Sequence, residues 1–255
     1  MPEGDSSQNP RGRPERGPDL AGQLYRRYGR GGTGFSRLRG MTYFLFKKYG
    51  WLCATESAYF MKRAMDIVGS AALLVMLSPI FLITALAIKW EDGGAVFYSQ
   101  TRVGKWGKLF RLYKFRSMIP DAEKLIDQLL DQNETGGVLF KMKDDPRVTR
   151  VGRTIRKLSI DELPQLWNVL RGDMSLVGPR PSLPREVAEY AYSDRRRLDA
   201  IPGITCIWQV SGRSDIDFAG QVRLDVQYIE SQSVLMDLKL LLKTIPAVLF
   251  GKGAY

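Results

Sequence analysis

Residues 67–88, IVGSAALLVMLSPIFLITALAI, are an uncharged apolar run bracketed by Lys62, Arg63 and Asp66 before it and Lys89 after it. At about 1.5 Å of rise per residue, a straight helix of this run would just cover a hydrocarbon core of about 30 Å, so length alone reads as a spanning helix. Ser78-Pro79 interrupts the run at its middle. Proline removes a backbone donor and clashes with the preceding turn, while the serine beside it can bond a freed carbonyl, so a kink is expected there. Basic residues on both flanks give no clear inside-versus-outside bias, which a re-entrant hairpin tolerates better than a span does. A kinked span, a buried core helix and a hairpin that enters and leaves one leaflet all stay open on these residues alone.

Upstream, residues 1–40 are rich in Gly, Arg, Pro and Ser (RGRPERGPDL, GRGGTGFSRLRG) without apolar periodicity, which reads as a disordered basic tail or a tether to anionic headgroups. They are not a secretory signal, since no apolar region with a small-residue cleavage pattern follows directly. The segment 41–61 opens MTYFLFKKYGW, aromatics mixed with Lys47 and Lys48, and reads as interfacial. The membrane element is assigned to 62–90 and a catalytic domain to 91–255.

Within that domain, VFYSQTRVG (96–104) and LFRLYKFRSM (109–118) read as a hairpin around the Gly104–Lys108 turn. DAEKLIDQLLDQ (121–132) reads as an amphipathic helix, and DDPRVTRVGRTIRKLS (144–159) as a turn that becomes helical. ELPQLWNVLRGD (162–173) reads as a short helix with Leu163, Leu166, Trp167 and Leu170 on one face. VLMDLKLLLKTIPAVLF (234–250) is an amphipathic helix for the core or for a membrane surface, with Lys239 and Lys243 four residues apart. The expected fold is mostly α with short β-hairpin elements: a helix kinked at Ser78-Pro79, a compact helix-rich domain and amphipathic interfacial helices.

Composition prunes the chemistry. The 255 residues are 44% apolar, enough for a sizeable core, and carry a formal net charge of +11. That charge suits nucleic acid, an anionic membrane face or a polyanionic substrate equally, and the membrane-like run argues against nucleic acid. The sequence contains no histidine, which removes imidazole acid-base catalysis, Ser-His-Asp and Cys-His pairs and His-ligated zinc. Cys53 and Cys206 lie far apart, so neither a disulfide framework nor a cysteine zinc site is supported. Carboxylates, Lys, Arg and backbone remain, a set suited to phosphate and hard cations such as magnesium.

Those groups concentrate between Arg153 and Pro184, RTIRKLSIDELPQLWNVLRGDMSLVGPRPSLP. Asp161 and Glu162 are adjacent, so on a regular helix they would splay by about 100° and take separate roles: one carboxylate to attack phosphorus, the other to hold a metal ion or orient a partner. Phosphate approaches a carboxylate pair only where cations screen the repulsion. Arg156 lies one helical turn before the pair; Arg180 is stiffened between Pro179 and Pro181; Lys114 and Arg116 in KFRSM add charge if the fold brings them near. Asp215-Ile216-Asp217 imitates the D-x-D metal motif of nucleotide-sugar glycosyltransferases, but without a nucleotide-binding α/β pattern it reads as a loop or helix start.

The Ser78-Pro79 break, Lys114-Phe115-Arg116-Ser117-Met118, the D-E-L-P-Q run at 161–165, N-V-L-R-G-D-M-S-L-V-G-P-R-P from Asn168 to Pro181, Pro202-Gly203-Ile204-Thr205 and Trp208-Gln209-Val210-Ser211-Gly212-Arg213 occur in order over about three quarters of the chain. In this the chain resembles the bacterial sugar transferases, monotopic polyprenyl-phosphate phosphoglycosyl transferases. The resemblance implies a re-entrant hairpin in the bacterial inner membrane, a cytoplasmic active site, and transfer of a sugar 1-phosphate from a UDP-sugar to undecaprenyl phosphate with release of UMP, as in exopolysaccharide initiation. It implies Asp161 as the nucleophile of an aspartyl-phosphosugar intermediate, Glu162 with Asp161 at a magnesium ion, and Lys114, Arg156 and Arg180 on phosphates. Glucose or galactose is the expected sugar, and a homo-oligomer is compatible with the sequence. Cys206 stands where this family is expected to have glycine after P-G-[IL]-T.

Overall fold

The computed structural model describes residues 34–125, 142, 145–212 and 216–250. The chain divides into two compact units, Met1–Ser57 and Ala58–Tyr255. The basic tail lies outside the described residues as far as residue 33; from Gly34 the chain is helical, in α1 (Gly34–Met76). In the first unit Met41, Tyr43, Phe44, Phe46 and Tyr49 are exposed along that helix, with Lys47 over the Tyr43 ring.

In the second unit α1 ends at Met76, and α2 (Ser78–Asp92) begins after Leu77 with a bend of 59° between Ser57–Met76 and Ser78–Asp92. The cause is the expected one. Pro79 sits in the first turn of α2, where its missing N–H costs nothing, and Ser78 Oγ donates to the Val75 carbonyl at 2.8 Å. Among the described residues no single helix is long and apolar enough to cross a membrane. Val68, Val75, Ile83 and Leu86 are exposed, whereas Ser70, Thr84 and Ile88 are buried. One side of the bent pair therefore packs on the domain and the other presents hydrocarbon outward.

The rest is mostly helical with a few short strands. β1 (Phe97–Val103) and β2 (Leu109–Phe115) form the antiparallel hairpin, with Tyr98 opposite Lys114. α3 (Arg150–Lys157) starts at Thr149, whose side chain accepts from the Gly152 amide. A 3-10 turn, Ile160–Glu162, leads into α4 (Gln165–Arg171), then β3 (Ser175–Val177), α5 (Pro184–Ala188), β4 (Gly203–Thr205) parallel to β3, α6 (Ile207–Ser211), α7 (Phe218–Ser231) and α8 (Val234–Phe250). Of the helix expected over 121–132, a 3-10 turn at Ala122–Leu125 is seen, and the remainder lies outside the described residues.

α4 turns a different face inward from the one its spacing predicted. Leu166 and Val169 are buried with Gln165 and Asn168, while Trp167 is exposed. The reason is Asn168: fully buried, it accepts from the Tyr113 amide and donates to the Arg111 carbonyl, so a polar side chain closes the unpaired edge of β2 and fixes the rotation of the helix. Leu112, Leu166, Val169, Met174, Leu176, Val177, Tyr228 and Leu240 make one core, against which Leu73, Leu74 and Leu77 of the bent pair pack. Ile88, Phe115 and Ile155 make a second, joined by Phe81, whose ring meets Phe115 at 5.1 Å.

Candidate functional site

Ser159 adopts a left-handed conformation (φ 54°), ending α3 and turning the chain so that Asp161 and Glu162 face the β2 strand. Lys114 Nζ lies 2.8 Å from Glu162 Oε1 and 3.7 Å from Asp161 Oδ2, and Arg180 Nη1 lies 3.4 Å from Glu162 Oε1. The two carboxylates, expected to splay apart, meet instead at one ammonium, because the turn after Ser159 replaces the regular helix assumed from sequence. Their environments still separate them. Burial pushes the Asp161 carboxyl above its ordinary range, and the Glu162 charge adds to this against the opposing pull of Lys114. Burial acts on Glu162 as well, but Lys114 and Arg180 outweigh it and hold the group at about 2. Glu162 is thus the fixed charge of the pair, and Asp161 the more basic oxygen.

Arg180 is placed by its prolines. The Pro179 carbonyl accepts from the Gly203 amide at 2.9 Å, and the Pro181 carbonyl accepts from Arg102 Nη1 at 3.1 Å. Gly203 is required here: a Cβ would collide with the Gly178 backbone as β4 passes β3. Arg156 is half-buried on the cavity wall, close enough to favour ionised Asp161. Arg116 also lines the cavity, but its guanidinium is paired with Asp92 at the end of α2, so its charge is already answered. Asp217 caps α7 by accepting from the Gly220 amide, a helix-start role, while Asp215 lies outside the described residues. Cys206 is buried beside Gln209 Oε1, its thiol pushed well up by burial.

Lys114, Arg116, Arg156, Asp161, Glu162 and Arg180 line one cavity of about 1800 Å³. Its polar end holds Lys114, Asp161, Glu162 and Arg180; its other walls include Leu73 and Leu77 of the bent helix pair and Leu241, Ile245 and Val248 of α8. A charged floor continuous with an apolar trough suits a ligand that is itself anionic at one end and apolar at the other.

Several contributors were not legible from spacing. Lys62, Arg63 and Asp66, read as charges flanking an apolar run, are docking groups. Lys62 Nζ contacts Asp237 Oδ2 at 2.6 Å and the Val177 carbonyl at 3.0 Å. Arg63 donates to the carbonyls of Val169 and Leu170, capping the C-terminus of α4, and Asp66 accepts from Ser175 Oγ and the Leu176 amide. At the far end of the pair, Glu91 accepts from the Arg150 and Val151 amides at the N-terminus of α3. The two limbs therefore cap the helices on either side of the carboxylate pair, each with the charge its helix end favours. Arg102 on β1 was also missed; the alternation that puts Tyr98, Gln100 and Arg102 on one face of the strand was the available signal.

A buried carboxylate pair beside Lys114 and Arg180, opening onto an apolar trough, has the chemistry of a site for anionic ligands. The chain belongs to the bacterial sugar transferase family: the family model of that description matches residues 57–251. It is 48% identical over 212 residues to the galactosyl transferase CpsE of Streptococcus agalactiae serotype III, covering 82% of this chain and 45% of CpsE. It is 41% identical over 198 residues to the exopolysaccharide production protein ExoY of Sinorhizobium fredii, covering 76% of this chain and 88% of ExoY. It is 44% identical over 206 residues to the undecaprenyl-phosphate galactose phosphotransferase of Salmonella typhimurium, covering 79% of this chain and 43% of that protein. The chain thus spans under half the length of two of these relatives and most of the third.

Proposed function

We propose that this chain is a phosphoglycosyl transferase that moves a hexose 1-phosphate, glucose or galactose, from a UDP-sugar to undecaprenyl phosphate and releases UMP, as the first membrane step of exopolysaccharide or related glycan assembly. The observation that carries the proposal is the single cavity in which Asp161, the more basic carboxylate, sits among Lys114, Arg156 and Arg180 at the end of an apolar trough. The names of the relatives support both the lipid carrier and the hexose.

In this reading Asp161 attacks the sugar-bearing phosphorus. Its elevated proton affinity makes it the better nucleophile of the two, and Lys114 and Arg180 offset the charge of the incoming phosphates. The resulting aspartyl phosphosugar is then taken by the phosphate of the lipid carrier. Arg156 faces the same space and would add a fork to the transferring group. Arg116, held by Asp92, would act on the site only through its long-range charge.

Among the described residues no cluster of three or more His, Cys, Asp or Glu could hold a metal unaided. Two adjacent carboxylates nevertheless suit magnesium, which commonly binds through one or two carboxylates and fills its remaining positions with water and substrate phosphate. Glu162 and Asp161 would hold it, and the ion would supply hard positive charge against phosphate oxygens.

We propose further a re-entrant, monotopic arrangement in the inner membrane with the catalytic domain on the cytoplasmic side; the 59° bend between Ser57–Met76 and Ser78–Asp92 supports re-entry alone. Labelling of single cysteines before Met61 tests it: reactivity from the side of the catalytic domain is expected, and reactivity from the other side would make the pair a span. The activity is tested by incubating lipid-reconstituted protein with UDP-sugars and undecaprenyl phosphate. UMP is expected, UDP would mean glycosyl transfer without phosphate, and full turnover by Asp161→Asn would remove the nucleophile.

A further inference from the structure

One cation on the cavity wall, Arg102, is held by neutral acceptors alone. Lys114 and Arg180 share Glu162, with Asp161 beside them. Arg102, on the cavity wall formed by β1, has no carboxylate within ion-pair distance among the described residues. Its Nη1 donates to the Pro181 carbonyl at 3.1 Å and its Nη2 to Gln100 Oε1 at 2.7 Å, both neutral acceptors, and its Nε is buried with no hydrogen-bond partner. The carboxylates that face it are Glu186 and Glu162. Glu186 Oε2 is occupied by the Leu183 amide at 2.8 Å, and Glu162 by Lys114 and Arg180.

A guanidinium in this setting is costly unless something answers it, and the charge that acts on it most strongly is another cation, Arg180. Burial, with Arg180 adding to it, brings Arg102 down to about 10, which still leaves it charged at neutral pH. Arg102 and Arg180 line the same cavity, with Arg102 bonded to the carbonyl of Pro181, the residue next to Arg180, and the unanswered Arg102 guanidinium offers a fork that an incoming phosphate would complete. Gln100 and Pro181 fix the plane of the Arg102 fork before any ligand arrives, so little ordering remains for binding to impose.

We propose that Arg102, together with Arg180, is the subsite for the phosphate that does not react, the one that stays with the nucleoside when the phosphosugar passes to Asp161. This rests on the phosphoglycosyl transfer reading above. In that step an Asp161 oxygen forms a bond to the sugar-bearing phosphorus as the bond from that phosphorus to the bridging oxygen breaks. The electron pair stays on the bridging oxygen, which becomes the third terminal oxygen of the departing nucleoside monophosphate. No proton or redox partner is needed. The negative charge gathering on that oxygen falls on the phosphate that Arg102 and Arg180 hold, so Arg102 assists departure as well as binding.

The test uses the full chain in lipid nanodiscs and reads binding of UMP and of uridine separately from turnover. Arg102→Gln is expected to weaken UMP binding at least tenfold while leaving uridine binding and the unliganded melting temperature unchanged, with Arg102→Lys intermediate. Arg116→Gln, whose guanidinium is committed to Asp92 in the parent protein, is expected to leave UMP binding within twofold. UMP affinity unaltered in Arg102→Gln would overturn the subsite, as would a variant whose KM rises for undecaprenyl phosphate alone. Should Arg102→Gln fail to fold, the same comparison on Arg102→Lys decides, since an ammonium keeps the charge but loses the fork. Release of UDP rather than UMP by the parent protein would instead overturn the underlying reading, and nucleotide analysis shows that without any variant.

Discussion

Replacing Lys62 with methionine should destabilise the second unit far more than a surface charge change does. Asp237 is fully buried and the Lys62 side chain is 11% exposed, with 2.6 Å between Nζ and Oδ2. The Tyr228 hydroxyl lies 2.7 Å from Asp237 Oδ1 and 3.0 Å from the Val177 carbonyl, with its one proton shared between these acceptors. Removing one partner of such a pair leaves an unanswered buried charge, a loss of about 3–5 kcal/mol. For a unit of this size, at about 2–4 °C per kcal/mol, the melting temperature should fall by roughly 6–20 °C. Lys62→Met/Asp237→Leu should recover much of that loss, because replacing both charges removes the desolvation penalty together with the attraction. Thermal unfolding followed by tryptophan fluorescence in detergent, at one scan rate, measures all three proteins. A single variant within about 1 kcal/mol of the parent, or a double variant worse than the single, would show that this pair does not anchor the base of the bent helices.

Four further outcomes are expected. The acidic limb of kcat/KM should lie above the ordinary aspartate range near 3.8, because burial raises Asp161, and Glu162→Gln should move the residual activity's limb to lower pH by removing a neighbouring negative charge; a limb unmoved in that variant would contradict the assignment. Asp161 binds its proton more tightly folded than unfolded, so the stability it contributes is present below about pH 3.8 and lost as pH rises through its raised folded value; Asp161→Asn should therefore raise the melting temperature at pH 7 and not below pH 3.8. Gly152→Ala should lower both stability and kcat, since its Cβ would collide with the Ser117 carbonyl and force α3 away from KFRSM; parent-like values of both would refute that close approach. Glu91→Gln should cost about 0.3–1 kcal/mol of stability, the loss expected when a charge leaves a helix N-terminus, with a fall in kcat at unchanged KM if α3 positions the carboxylate pair.

What was legible in the sequence was what depends on local chemistry. The kink followed from Pro79 and Ser78, the hairpin from two alternating strands around a Gly104–Lys108 turn, and of the two roles left to Asp217 once a nucleotide-binding pattern was lacking, loop or helix start, the fold shows the second. The helical faces were less legible, since Asn168 rotated α4 through two hydrogen bonds to residues 55 and 57 positions away. KFRSM gave Lys114 and Arg116 equal standing, and two residues apart they would share a face of one strand, but β2 ends at Phe115, so Arg116 lies beyond the strand and leaves its alternation. One therefore meets the carboxylate pair and the other meets Asp92.

The charges beside the apolar run carry the larger consequence. A membrane segment needs polar flanks in any topology, so Lys62, Arg63, Asp66 and Glu91 have an adequate explanation in sequence terms and no further one is sought. In the fold each is consumed by the domain: Lys62 by Asp237, Asp66 by β3, Arg63 by the end of α4 and Glu91 by the start of α3. α3 and α4 are joined by the turn that carries Asp161 and Glu162. A displacement of either limb would thus be delivered to the ends of the two helices that hold the carboxylate pair, through hydrogen bonds that tolerate little stretching. Under the proposed transfer to a lipid-borne phosphate, fixing the site to the segment that enters the membrane would bring Asp161 and the acceptor to one height. The residues that bound the hydrophobic run hold the helix ends on either side of Asp161 and Glu162.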